Sequence, residues 1–114
     1  RSNRDLVKRM LMAYVEAIHI LKTDVERSLP IMKKYMRITD DVIAKRSYEY
    51  YAKLFSFPPL TDEKGIAVVL KFLATQPGGA NAKNAKAEEF FDNSLLAELQ
   101  REGFFARLQG GKGL

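Results

Sequence analysis

NRDLVKRMLMAYVEAIHILK, residues 3–22, decides the fold class. Leu6, Val7, Met10, Leu11, Tyr14, Ala17, Ile18 and Leu21 recur at spacings of three and four, which places them on one face of a helix of 3.6 residues per turn. That face is expected to be buried, with Lys8, Met12, Glu16 and His19 on the other side. Ser2 or Asn3 can cap the first turn, and Asp5 sits favourably near the positive end of the helix dipole. The segment names no chemistry.

The segments that follow repeat the same pattern, and no stretch alternates with the period of a strand, so the expected class is all-α. Thr23, Asp24, Val25 and Glu26 read as a capping box opening a second helix over 24–36, with Val25, Leu29, Met32 and Tyr35 or Met36 as its apolar stripe. Pro30 lacks an N–H and should bend that helix or delay its regular part until Leu29. Ile38, Thr39, Asp40 and Asp41 introduce a third helix over 41–55, lined by Ile43, Ser47, Tyr50, Tyr51, Leu54 and Phe55. SFPPL, residues 56–60, is a rigid non-helical connector because neither proline donates and Pro59 biases Pro58 towards extended backbone. A fourth helix over 62–75 is apolar around so much of its circumference that burial on more than one side is expected. QPGGANAKNA, residues 76–85, is turn chemistry. A short turn of helix can form around Phe90 and Phe91. Asn93 or Ser94 then caps a last helical stretch over 94–108, which Gly103 ends or interrupts before Phe104, Phe105 and Leu108 make one more apolar turn. The reading is therefore one helical domain over 1–109, containing about five helices, and a flexible tail over 110–114.

Length and composition bound the function. A globular chain of 114 residues buries roughly 65% of its unfolded surface, enough for a core without staples. The absence of cysteine excludes disulfides and thiolate metal sites and leaves the compartment open. No run reaches the roughly 18 apolar residues of a membrane span, and the start lacks the order of a signal peptide. The net charge of +5 is concentrated early: residues 1–37 hold nine Lys or Arg against four acids. Those cations are interleaved with Asp5, Glu16, Asp24 and Glu26, which is too diffuse for the basic stripe of a nucleic-acid binder. No nucleic-acid partner is expected.

Candidate chemistry is sparse. His19 is the only histidine and has no paired-ligand spacing around it, so it reads as a boundary side chain. Ser2, Ser28, Ser47, Ser56 and Ser94 fall in helices or caps and not in a nucleophile elbow. Asp40/Asp41, Asp62/Glu63 and Glu88/Glu89 each sit where a helix starts, and dipole complementarity accounts for them. Tyr48, Tyr50 and Tyr51 invite ligand stacking, but at helical spacing they read as core edge with a wet hydroxyl. Gly78 and Gly79 belong to no phosphate-cradling motif, and Met10, Met12, Met32 and Met36 read as core filler. No catalytic, cofactor-binding or metal residue is nominated, the ligand residues stay unknown, and the chain is not expected to be an enzyme. The abrupt start inside a capped helix suggests a piece of something longer.

The order of segments carries more information. NRDLVKRM at 3–10, AYVEAI at 13–18, the Lys34–Tyr35 step, the tyrosine-rich third helix, GIAVVLKFLA at 65–74 and NAKAEEFFDNSLLAELQREGF at 84–104 together resemble the C-terminal helical portion of ABC-transporter substrate-binding proteins of the nitrate/sulfonate/taurine type. Arg4, where that family often has Pro, and Pro30 are departures. The resemblance implies a bacterial two-lobed α/β periplasmic binding protein, exported or membrane-anchored, that captures a small molecule and presents it to a transporter permease. This chain would then be a fragment forming the helical back of a lobe, without the cleft. It further implies that apolar surface meant for missing sheets is exposed and that the isolated chain self-associates. The alternative is a freestanding helical protein–protein interaction domain.

Overall fold

A computed structural model describes residues 3–110 of the chain. It contains six α-helices: α1 (Arg4–Thr23), α2 (Val25–Met36), α3 (Asp41–Leu54), α4 (Glu63–Ala74), α5 (Ser94–Arg101) and α6 (Phe104–Gln109). Two 3-10 turns, Ala80–Lys83 and Ala87–Glu89, lie between α4 and α5. There is no strand among the described residues, so the fold is all-α. The expected fifth helix is divided in two: Gly103 takes a left-handed φ of 76°, which a residue without Cβ adopts at little steric cost, and α6 starts immediately after it. Ser2, offered as a cap, and the end of the expected tail, residues 111–114, lie outside the described residues.

The chain divides into two compact units, Arg1–Pro59 with Leu99–Leu114, and Leu60–Glu98. In the first, α1 packs on α2, α3 and α6, and α2 packs on α3. The core there is Val15 and Ile18 of α1, Ala44 and Tyr48 of α3, Leu99, and Phe104, Phe105 and Leu108 of α6. The rings of Phe57, Phe105 and Phe104 form a tilted chain with centroids 5.8 Å and 6.2 Å apart. Lys8 Nζ donates to Glu102 Oε1 at 2.7 Å, tying α1 to the segment just before α6. In the second unit α4 packs against both 3-10 turns. Asn93 there exchanges two hydrogen bonds with the backbone of Thr61, each 3.1 Å, and so pins the two ends of the unit's chain together.

Several expectations are corrected. The first concerns α1, which is rotated from the predicted orientation. Leu6, Val7, Met10 and Tyr14 are exposed, Met10 to 65%, whereas Lys8, Leu11, Met12, Glu16 and His19 are half-buried around Val15 and Ile18. The apolar arc of α1 is wider than one contact line, and α2, α3 and α6 fill only the part centred on Val15. The second concerns α4, which buries none of its residues; Val68, Val69, Phe72 and Leu73 all face outward. Its unit supplies two short 3-10 turns as packing partners, too little backbone to surround a helix. The third concerns the start of α2. Thr23 belongs to α1 and donates its hydroxyl to the carbonyl of His19 at 2.7 Å, so the Thr23–Glu26 capping box does not form. Asp24 is the cap instead, accepting from the Arg27 N–H at 3.0 Å. Pro30 lies inside a continuous α2. The stripe expected on α2 is only half-covered at Leu29 and Met32, with Tyr35 and Met36 exposed, and on α3 Ile43, Tyr50 and Leu54 are exposed while Ala44 and Tyr48 take the buried positions.

Candidate functional site

Three polar side chains of the first unit, Lys22, Ser28 and Tyr48, bond carbonyls at the C-terminal ends of α1 and α3. A helix ends with carbonyls that have no intrahelical donor, and here the two helices supply each other. Tyr48 of α3 donates its hydroxyl to the Leu21 carbonyl at 2.6 Å. In return, Lys22 of α1 donates to the carbonyls of Ala52 and Phe55 at 2.6 and 2.7 Å. The Ile20 carbonyl accepts from the Asp24 N–H at 2.8 Å and from the hydroxyl of the buried Ser28 at 3.2 Å. Tyr48 is thus a buried tyrosine with its hydroxyl bonded to backbone, not the wet-edged one expected from sequence. Tyr50 stands exposed, edge-to-face with Tyr51 at 5.3 Å. Removing the cross-helix donor with Tyr48→Phe should cost about 0.5–1.5 kcal/mol, read as a lower urea midpoint in circular dichroism.

Beside this stitch lies an open concavity of about 370 Å³ lined by His19, Lys22, Thr23, Phe57 and Gln109. The His19 ring leans on Phe57 at 5.6 Å. The Lys22 ammonium is committed to two carbonyls and the Thr23 hydroxyl to a third, which leaves the imidazole and the Gln109 amide as the side-chain polar groups not already used. Acid–base or nucleophilic work needs a base within hydrogen-bond reach of a nucleophile and oriented by a third group. Lys22 and Thr23 are spent on carbonyls at helix ends.

Two of the acidic pairs, Asp40/Asp41 and Asp62/Glu63, stand at α-helix starts. Asp40 accepts from the Ile43 N–H at 2.9 Å and Asp62 from the Lys64 N–H at 3.0 Å. Asp41 is paired with Lys33 of α2. The hydrogen bond and the charge of that lysine hold the Asp41 carboxyl below the ordinary aspartate value. A carboxylate with a depressed folded pKa adds stability that is present above the unfolded value, about 3.9, and is lost as pH falls through the folded value. Lys33→Met should therefore raise the Asp41 pKa in an NMR titration and flatten the acid limb of the stability profile below that pH. An unmoved Asp41 titration would exclude the pair in solution.

No group of three or more His, Cys, Asp or Glu residues is placed to hold a metal ion among the described residues, and none of the described helices is long and apolar enough to cross a membrane. In the second unit, a groove of about 330 Å³ is lined by Ala67, Leu70, Lys71 and Ala74 of α4 and by Ala82, Lys83, Ala85 and Ala87. Sequence reading missed it because alanines carry no chemical signal and Ala82, Lys83 and Ala85 lie in the stretch read as loop.

The surface also carries exposed apolar side chains in rows. Leu6, Val7, Met10 and Tyr14 make a stripe along α1, and Val68, Val69, Phe72 and Leu73 make another along α4. Neither stripe contains a charged residue. No family model, curated protein or solved structure matches this chain.

Proposed function

We propose that this chain is the helical portion of a solute-binding protein that captures a small molecule and delivers it to an ABC-transporter permease. Its own share of the work is scaffolding: the uncharged faces of α1 and α4 cover apolar surface elsewhere in the larger protein, and ligand contacts belong to that remainder. The observation that carries the reading is the exposure of those faces, with Met10 and Val68 each 65% accessible. A free-standing domain keeps few such contiguous patches. The order of motifs from NRDLVKRM to LQREGF supports a binding protein as the parent, and the mutual capping of α1 and α3 supports a rigid backing role.

The test is to read the complete coding sequence around this segment and express its product. The reading expects an export signal and alternating strands and helices upstream, and a melting temperature that rises with a bound small oxyanion or sulfonate, nitrate and taurine being the first probes. A complete gene of about this length, with no upstream α/β region, would sink it and leave the freestanding interaction domain.

A further inference from the structure

We infer that the alanine-lined groove of the second unit receives Phe90 of a second copy of this chain. Two features fit. The groove is lined by five alanines and Leu70 together with Lys71 and Lys83, and neither ammonium is paired with a carboxylate among the described residues. The 3-10 turn Ala87–Glu89 ends in Phe90, whose backbone N–H bonds to the Ala87 carbonyl. This presents an aromatic ring, 58% exposed, directly after the exposed Glu88 and Glu89. An apolar slot flanked by two cations thus meets an apolar knob preceded by two anions.

Ala87 lines the groove and also opens the turn that bears the knob. Donor and acceptor are therefore three residues apart in the chain at their nearest, and a two-fold contact would let each copy give and receive the same group. A buried aromatic removes about 150–250 Å² from water, so two of them fall below the roughly 1,000 Å² of a stable interface. The pairing is accordingly weak and concentration-dependent. It uses a different surface from the uncharged stripes.

The test uses the full chain with those stripes made polar by Met10→Glu and Phe72→Glu, so that association through them does not contribute. A mixture of light and isotope-labelled copies is treated with a zero-length carbodiimide and the products are mapped by mass spectrometry. Mixed-isotope links from Lys71 or Lys83 to Glu88 or Glu89 are expected. They should fall at least fivefold in F90A, and in a mixture of K71E/K83E with E88K/E89K they should join the Lys71 or Lys83 of the second to the Glu88 or Glu89 of the first. Links confined to single copies, or mixed links indifferent to F90A, would overturn the inference. Persistence of self-association in the chain with intact stripes would then leave the scaffolding proposal standing alone.

Discussion

Phe104→Ala should lower the stability of the first unit by about 3–5 kcal/mol. Phe104 is 1% exposed, follows the left-handed Gly103, and packs its ring against Phe105. Truncation removes the transfer energy of the ring and leaves a cavity that the surrounding helices close only in part. Small domains are stable by only about 5–15 kcal/mol, so much of the folded population is at stake. Urea denaturation followed by circular dichroism reads the effect. Phe90→Ala, at an exposed position, should stay within about 0.5 kcal/mol in dilute solution. Equal effects at the two phenylalanines would mean that the aromatic cluster of Phe57, Phe104 and Phe105 is not the centre of the unit.

Gly79→Ala should be the most damaging small substitution in the second unit, at about 1–3 kcal/mol. A Cβ at this position would fall on the backbone carbonyl of Leu73, and backbone cannot swing aside as a side chain can. The turn that α4 makes into Ala80–Lys83 depends on that close approach, since the Gly79 N–H bonds the Gln76 carbonyl and the Gly79 carbonyl accepts from Ala82, each at 3.0 Å. Hydrogen exchange should show faster opening of α4 and of both 3-10 turns in the variant. The neighbouring Gly78 has open space around it but a φ of 83°, so its alanine variant is opposed by strain of about 1–2 kcal/mol instead. Unchanged protection of α4 in Gly79→Ala would show that the close approach is absent in solution.

Local signals in the sequence were reliable where one residue type does one job. Asp40 and Asp62 cap helices, Pro58 and Pro59 occupy a non-helical connector, and Gly103 divides the last helix ahead of the buried Phe104, Phe105 and Leu108. The side on which each helix is buried was less legible. On α1 the periodicity marks a broad apolar arc, and which part is covered depends on α2, α3 and α6 arriving at Val15 and Ile18. On α4 the same apolar richness that reads as deep burial is left facing outward. Thr23 was misplaced because its hydroxyl can serve either the helix behind it or the one ahead, and the choice follows from how far α1 extends. The cross-capping by Tyr48 and Lys22 has no sequence signal, because it joins residues that only the packing of α1 on α3 brings together.

On the proposed scaffolding role, the uncharged faces of α1 and α4 are there to be covered. Light scattering across a concentration series of the 13.0 kDa chain tests it most directly. A weight-average mass well above the monomer is expected at high micromolar concentration, falling when Met10 and Phe72 are both replaced by glutamate with helicity unchanged. A clean 13.0 kDa species across the whole series, with no difference between the two proteins, would contradict it.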